Sequence, residues 1–326
     1  AISALLLLLS SCTSLPSKET PIVAETPSHK VEAPDESRFV KTSARLAGSG
    51  ETYPIWRTRS AGKLVLLLHP INGLSPRLLH FALEMETWGY RVYLPSLYGD
   101  PVLGKPAYGF DRGLAMIKVL KKDDRWNPVQ TDTVGPIVEE VAGLARWVSA
   151  REGGRRIAVM GYSLTGILPL AIFDEPSVQV AILGQPATPA LRLHEIAGRI
   201  PQSQEKREAL SMSEEDLDSV VRAMKRDSRK RIFGFHYVHD PMASIERFDV
   251  LNERLAENGL GNRFRAYVME RPGEEFVGER PWGVGNETEE KRKLLTPHST
   301  YGANTNEEDQ EWFRSQLKQA RGSGSF

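Results

Sequence analysis

The sequence is first informative for what it has little of. Its 326 residues contain a single cysteine, Cys12, so neither an intrachain disulfide nor a cysteine-held metal cluster can form. Charge of one sign is not in excess: 42 basic side chains face 42 acidic ones, which removes the electrostatic case for a nucleic-acid partner. No repeat at a period of tens of residues is visible, which sets aside solenoids and propellers. The apolar run "SALLLLLS" near the start is too short to span a bilayer as a helix. What remains is a neutral chain, 40% apolar, long enough for one large core or two modest ones.

That short apolar run does carry a signal of its own. It ends in small residues directly before Cys12, the pattern of a secretory signal. "LSSC" resembles a bacterial lipobox, in which the cysteine is lipidated and becomes the mature N-terminus; a free cysteine after a leucine run is the plain alternative. The lipobox reading makes residues 1–12 a lipoprotein signal peptide. It predicts a lipid anchor at Cys12 that holds the protein to a membrane of the bacterial cell envelope, because several acyl chains together anchor stably. The missing Met and basic n-region are those of a sequence that begins downstream of them. Residues 13–40 include "TSLPSKETPIVAETPSHKVEAPDES", without period and poor in large apolar residues, and read as a flexible tether.

From Lys63 onward, apolar runs alternate with helical periodicities. "KLVLLLHP" suits a strand buried on both faces. A helix is expected over 76–88, ended by Gly89, and then a strand at "RVYLPSL". Ile137, Val141, Leu144, Ala145 and Val148 share a helical stripe. "RRIAVM", "VQVAIL", "RIFGFHYV" and "RFRAYVM" read as further strands. A helix bearing Ile245, Phe248, Leu251 and Leu255 precedes the last of them. A final helix starts at Thr305, with a capping box to Glu308. This alternation predicts an α/β fold, a doubly wound and mostly parallel sheet, over 41–326. One stretch, about 190–230, breaks the rhythm with dense charge and a helix starting at Ser213. It reads as a helical cap over the sheet edge or as a solvated helix pair.

"RRIAVMGYSLTGILPL" poses the chemical question. A strand ends in Gly161, Tyr162 and Ser163 and turns at once towards a helix. Such a corner exposes a serine at the carboxyl edge of a sheet, beside a helix N-terminus. The alternative is a serine that merely caps backbone amides. The corner is crowded, so small residues are needed around the serine. Gly161 supplies one, whereas Thr165 occupies the second position and Gly166 follows it.

Serine chemistry also needs a base, an orienting acid and an oxyanion hole. Asp240 follows the strand "RIFGFHYV" and precedes a proline; it is either the acid or an ordinary turn residue. His236 and His239, three apart on that strand, point to opposite faces and suit structural roles better than a zinc pair. His298, in "LLTPHSTYG", is the only histidine beyond the last strand, a base or a surface residue. The order Ser163, Asp240, His298 matches that of α/β-hydrolase triads. Backbone amides of Leu164 and of Ile71, in "LLLHPINGL", are the candidates for the oxyanion hole, with Asn72 as the fallback donor. His69 is expected to brace that loop by hydrogen bonding.

Taken together, "LLLHPINGL", "GYSLTG", "HYVHDPMAS" and "PHSTYG" make the chain resemble the α/β-hydrolase superfamily over 63–320. It is most similar there to dienelactone-hydrolase-like and serine-esterase branches. Dienelactone hydrolases use a cysteine where this chain has Ser163. The resemblance implies a serine hydrolase that cleaves carboxylic esters through an acyl-enzyme, with a small-molecule or lipid-like ester as substrate and neither metal nor organic cofactor. Two rivals share the fold: an acyltransferase with the same triad, and a catalytically inactive envelope binding or scaffold protein.

Overall fold

Short runs of Leu, Val and Ile bounded by turn residues can satisfy their backbone polar groups and bury both faces at once as central strands of a sheet. That is what they form. The computed structural model describes residues 34–71, 73–98, 124–189, 203–237, 240 and 243–269. The chain divides into two units, Ala1–Val31 and Glu32–Phe326, and every described residue belongs to the second.

The strands are β1 (Phe39–Arg45), β2 (Thr52–Thr58), β3 (Lys63–Leu67), β4 (Tyr90–Pro95), β5 (Ile157–Tyr162), β6 (Val178–Gly184), β7 (Arg231–Tyr237) and β8 (Phe264–Met269). They make one 8-stranded sheet in the order β1-β2-β4-β3-β5-β6-β7-β8. β1 pairs with β2, and β2 with β4, antiparallel. The other pairs are parallel. The α/β expectation is met. The antiparallel β1–β2 pair was not anticipated, and β1 begins at Phe39, inside the stretch read as tether.

The described helices are α1 (Pro76–Thr87), α2 (Ile137–Arg151), α3 (Leu168–Ala171), α4 (Gln204–Glu208), α5 (Glu214–Arg226) and α6 (Glu246–Glu257). Their boundaries follow from local chemistry. Ser75 caps α1, its hydroxyl accepting from the Leu78 amide at 3.3 Å, with Pro76 at the first helical position. Gly89 leaves α1 at φ 88°, the left-handed conformation in which a side chain would be strained. Ser213 and Asp216 form the capping box that opens α5.

The two-residue period of the strands sorts their side chains into two layers. Leu64, Leu66, Ile157, Val159, Ala181 and Leu183 share a cluster with apolar residues of α2, α3, α5 and α6. Val65, Leu67, Ala158, Met160, Val180 and Ile182 share another with Leu78, Leu79, Ala82 and Met85 of α1. Each fully buried Leu, Ile, Val or Met side chain here contributes roughly 1.5–3 kcal/mol.

α5 alters the picture of 190–230 as an extra cap. β6 and β7 are parallel neighbours, and such a pair needs a crossover connection. α5 lies in that connection and buries Leu217, Val220, Val221 and Met224 in the core cluster. Residues 214–226 are therefore part of the crossover, not a lid; residues 190–202 lie outside the described residues. The final helix and the excursion before His298 lie outside them as well. Among the described residues no helix is long and apolar enough to cross a membrane.

Candidate active site

β3, β5, β6 and β7 run parallel, so the residues that follow them share one edge of the sheet. The corner after β5 is its most constrained feature. Ser163 has φ 53°, a left-handed conformation that costs a non-glycine residue about 1–2 kcal/mol. A 3₁₀ turn, Ser163–Thr165, follows at once, and α3 is only one short turn beyond it. Ser163 is half-buried.

Crowding explains the residues around it. A Cβ on Gly161 would stand 2.0 Å from the Thr165 carbonyl oxygen, so only glycine fits. A Cβ on Gly166 would stand 2.6 Å from Pro186 Cα and 2.8 Å from the Gly184 oxygen. The second obligatory glycine is thus at 166, where the turn presses against the end of β6. Thr165 is fully buried and fits for a different reason. Its hydroxyl accepts from the Tyr162 amide at 3.0 Å and donates to the Tyr162 carbonyl at 3.1 Å. The β-branched residue that departs from the usual spacing is a brace across the corner.

The loop after β3 lies next to this corner, because the Leu68 amide donates to the Met160 carbonyl at 2.8 Å. His69 is fully buried and fastens the loop. Its Nε2 accepts from the Leu97 amide at 2.9 Å, so the proton belongs on Nδ1, which lies 2.8 Å from the Pro70 carbonyl and donates to it. Burial lowers its pKa to about 4, so the ring is neutral near pH 7. The bracing role expected of His69 is what it performs. The Gly73 amide also donates to the Pro70 carbonyl, at 3.0 Å, and closes the turn. Ile71 closes this described stretch of the loop and Leu164 follows Ser163 in the 3₁₀ turn, both among the described residues. Asn72 lies outside them.

Asp240 follows β7 and is buried. Its Oδ1 accepts from the Ala243 amide at 3.1 Å and its Oδ2 from Gln185 Nε2 at 2.5 Å. Gln185 directly follows β6. The next residues stitch the edge together: the Ala187 amide donates to the Ser163 carbonyl at 3.0 Å. Arg247, buried in α6, donates to the carbonyls of Pro186 and Pro189, the latter at 3.0 Å. Desolvation lowers the Arg247 pKa to about 10, against an opposing pull from Asp240. Gln185 and Arg247 went unnoticed in the sequence; the only available signal was Gln185's place at the end of a buried strand. His236 is buried, edge-on to Phe248 at 6.0 Å between ring centres. His239, His298 and Cys12 lie outside the described residues.

No protein-family model and no curated protein matches the chain. Solved structures do. A dienelactone hydrolase-like promiscuous phosphotriesterase from metagenomic libraries is similar with a TM-score of 0.50 at 8% identity, covering 87% of this chain and 99% of that one. This chain has the α/β-hydrolase fold. A protein assigned as a dienelactone hydrolase from Klebsiella pneumoniae matches over 78% of this chain and 94% of its own, at 16% identity and a TM-score of 0.44. An esterase of Pyrococcus furiosus matches over 72% and 84%, at 14% identity and a TM-score of 0.43. At such identities the likeness concerns the fold alone.

Proposed function

We propose that this protein is a serine hydrolase acting on carboxylic esters. The observation that carries the reading is the left-handed Ser163 at the end of β5, held between Gly161 and Gly166, which admit no Cβ. Strain of this kind persists where surrounding packing enforces it, and it concentrates at reactive residues. Support also comes from Asp240, buried at the same sheet edge with two donors on its carboxylate, and from the chain order of the three candidate residues.

In the proposed reaction, Ser163 Oγ attacks the ester carbonyl carbon while its proton passes to His298, which Asp240 orients. The carbonyl oxygen becomes an oxyanion facing the Ile71 and Leu164 amides. The carbon–oxygen bond to the alcohol breaks, and the alcohol leaves with the proton from His298. Water, deprotonated by the same imidazole, then cleaves the acyl-enzyme and restores Ser163. Cys12 would carry the lipid anchor, which would hold the enzyme to a membrane of the bacterial cell envelope, on its periplasmic or extracellular side, and favour a small-molecule or lipid-like ester.

Labelling by a fluorophosphonate probe tests the reading. Wild type should label, and Ser163→Ala and His298→Ala should not. A folded wild type that stays unlabelled and hydrolyses no acyl ester refutes it in favour of a scaffold. Transfer of the acyl group to an added alcohol in preference to water would replace hydrolysis by acyl transfer.

A further inference from the structure

We infer that Gln185 is a positioning residue for the Asp240 carboxylate, which rests on reading Asp240 as the triad acid. Gln185 has φ 42°, a conformation that glycine adopts freely and other residues only at a cost. Neither exposure nor packing against the core accounts for a glutamine there. It is 1% exposed, and its use lies at its two polar ends. The backbone amide donates to the Phe235 carbonyl of β7 at 2.8 Å. The side-chain amide donates to Asp240 Oδ2 at 2.5 Å. One residue thus ties the end of β6 both to β7 and to the acid that follows β7.

The consequence for the carboxylate is geometric. An ionised carboxylate offers four lone-pair directions on its two oxygens. Gln185 takes one on Oδ2 and the Ala243 amide one on Oδ1, which fixes the plane of the group. A neutral donor does this without adding a counter-charge. Among the described residues, Arg247 of α6 senses Asp240, and beyond it Glu246 is lowered in pKa despite its burial by Ser244, its own backbone amide, Arg207 and His236. Arg247 spends its terminal nitrogens on the Pro186 and Pro189 carbonyls, so it holds the 186–189 segment while Gln185 holds the acid.

The test compares Gln185→Leu and Gln185→Glu with wild type by kcat and KM on a chromogenic short-chain ester across pH, alongside fluorophosphonate labelling. Loss of a hydrogen bond to a charged group should cost Gln185→Leu roughly tenfold in kcat at every pH, with KM within about twofold. Gln185→Glu should behave differently. At low pH its carboxyl stays protonated beside Asp240 and donates as the amide did, because two adjacent carboxylates share a proton. Its kcat relative to wild type should therefore be near unity at the acid end. It should fall towards the Gln185→Leu level as pH rises and the pair loses that proton. A structural role would lower thermal stability without a pH-dependent ratio of kcat values. Folded Gln185→Leu with wild-type kcat, or a Gln185→Glu ratio flat in pH, overturns the inference while the enzyme stays active. If Gln185→Leu does not fold, the nearly isosteric Gln185→Glu decides alone. An inactive, unlabelled wild type removes the triad reading and this inference with it.

Discussion

Thr165 offers a test in which two physical arguments predict opposite rankings. The residue is completely buried, and from burial alone Val should replace it better than Ser, since Val keeps its volume and adds apolar surface. The hydroxyl, however, makes two hydrogen bonds to the Tyr162 backbone, at 3.0 and 3.1 Å. At a net 0.5–1.5 kcal/mol for each neutral bond, Thr165→Val should lose about 2 kcal/mol, more if the buried Tyr162 groups find no substitute. Thr165→Ser keeps both bonds and removes one methyl, which costs about 1 kcal/mol. In a domain of this size a kcal/mol moves the melting temperature by roughly 2–4 °C, so the Val variant should melt about 4–8 °C below wild type, with Ser in between. Differential scanning calorimetry of wild type and both variants measures this directly. The brace also holds Ser163 in its left-handed conformation, so fluorophosphonate labelling should slow in the Val variant and not in the Ser variant. A Val variant as stable as the Ser variant would refute the argument, and Thr165 would then be a space filler.

Two further predictions concern buried cations and would-be cations elsewhere in the fold. His69 titrates near pH 4 in the native state because burial disfavours the charged ring, against about 6.5 when unfolded. Its native pKa is therefore the lower one: its contribution is fully present above pH 6.5 and is lost as pH falls from there towards 4, by up to about 3 kcal/mol. Urea-unfolding midpoints of wild type should fall through that window more steeply than those of His69→Leu; parallel curves would sink the assignment. Lys230, pushed down to about 8 by burial, donates its Nζ to the carbonyls of Phe173, Glu175 and Val178. Lys230→Met leaves those three oxygens without that donor and should cost roughly 2–4 kcal/mol in the same assay, whereas a change under 0.5 kcal/mol would mean that water replaces it.

How far these features could be read from the chain depends on where their causes lie. The central strands were legible because burial on both faces demands an unbroken apolar run, and "KLVLLLHP" and "RRIAVM" satisfy that demand locally. β1 was not legible for the converse reason. At the sheet's edge only Phe39 and Ala44 of its seven residues are buried apart from two half-buried ones, and its alternation is lost among Lys, Thr, Ser and Arg. Pro54 similarly disguises β2, although its place in the register is real. α5 was legible as a helix, from Ser213 and its stripe, but not as a crossover, because that depends on β6 and β7 being neighbours.

The corner shows the same division at the scale of single atoms. Spacing alone made Ser163 a candidate and made Thr165 look like a defect, since a motif counts residues and does not record which carbonyl a side chain can reach. The glycine requirement is a contact between Gly166 and a different strand's end, at Gly184 and Pro186, and so can shift by one position when the turn is 3₁₀ instead of α. The same β6 end supplies the glutamine on Asp240 and the amide on the Ser163 carbonyl. Segment 184–189 therefore sets the geometry of the strand-end residues on both of its neighbours, although no residue in it belongs to a recognisable motif. Substitutions in this segment should alter labelling of Ser163 more than their modest polarity suggests, because two parallel strands flank β6 and both terminate against it.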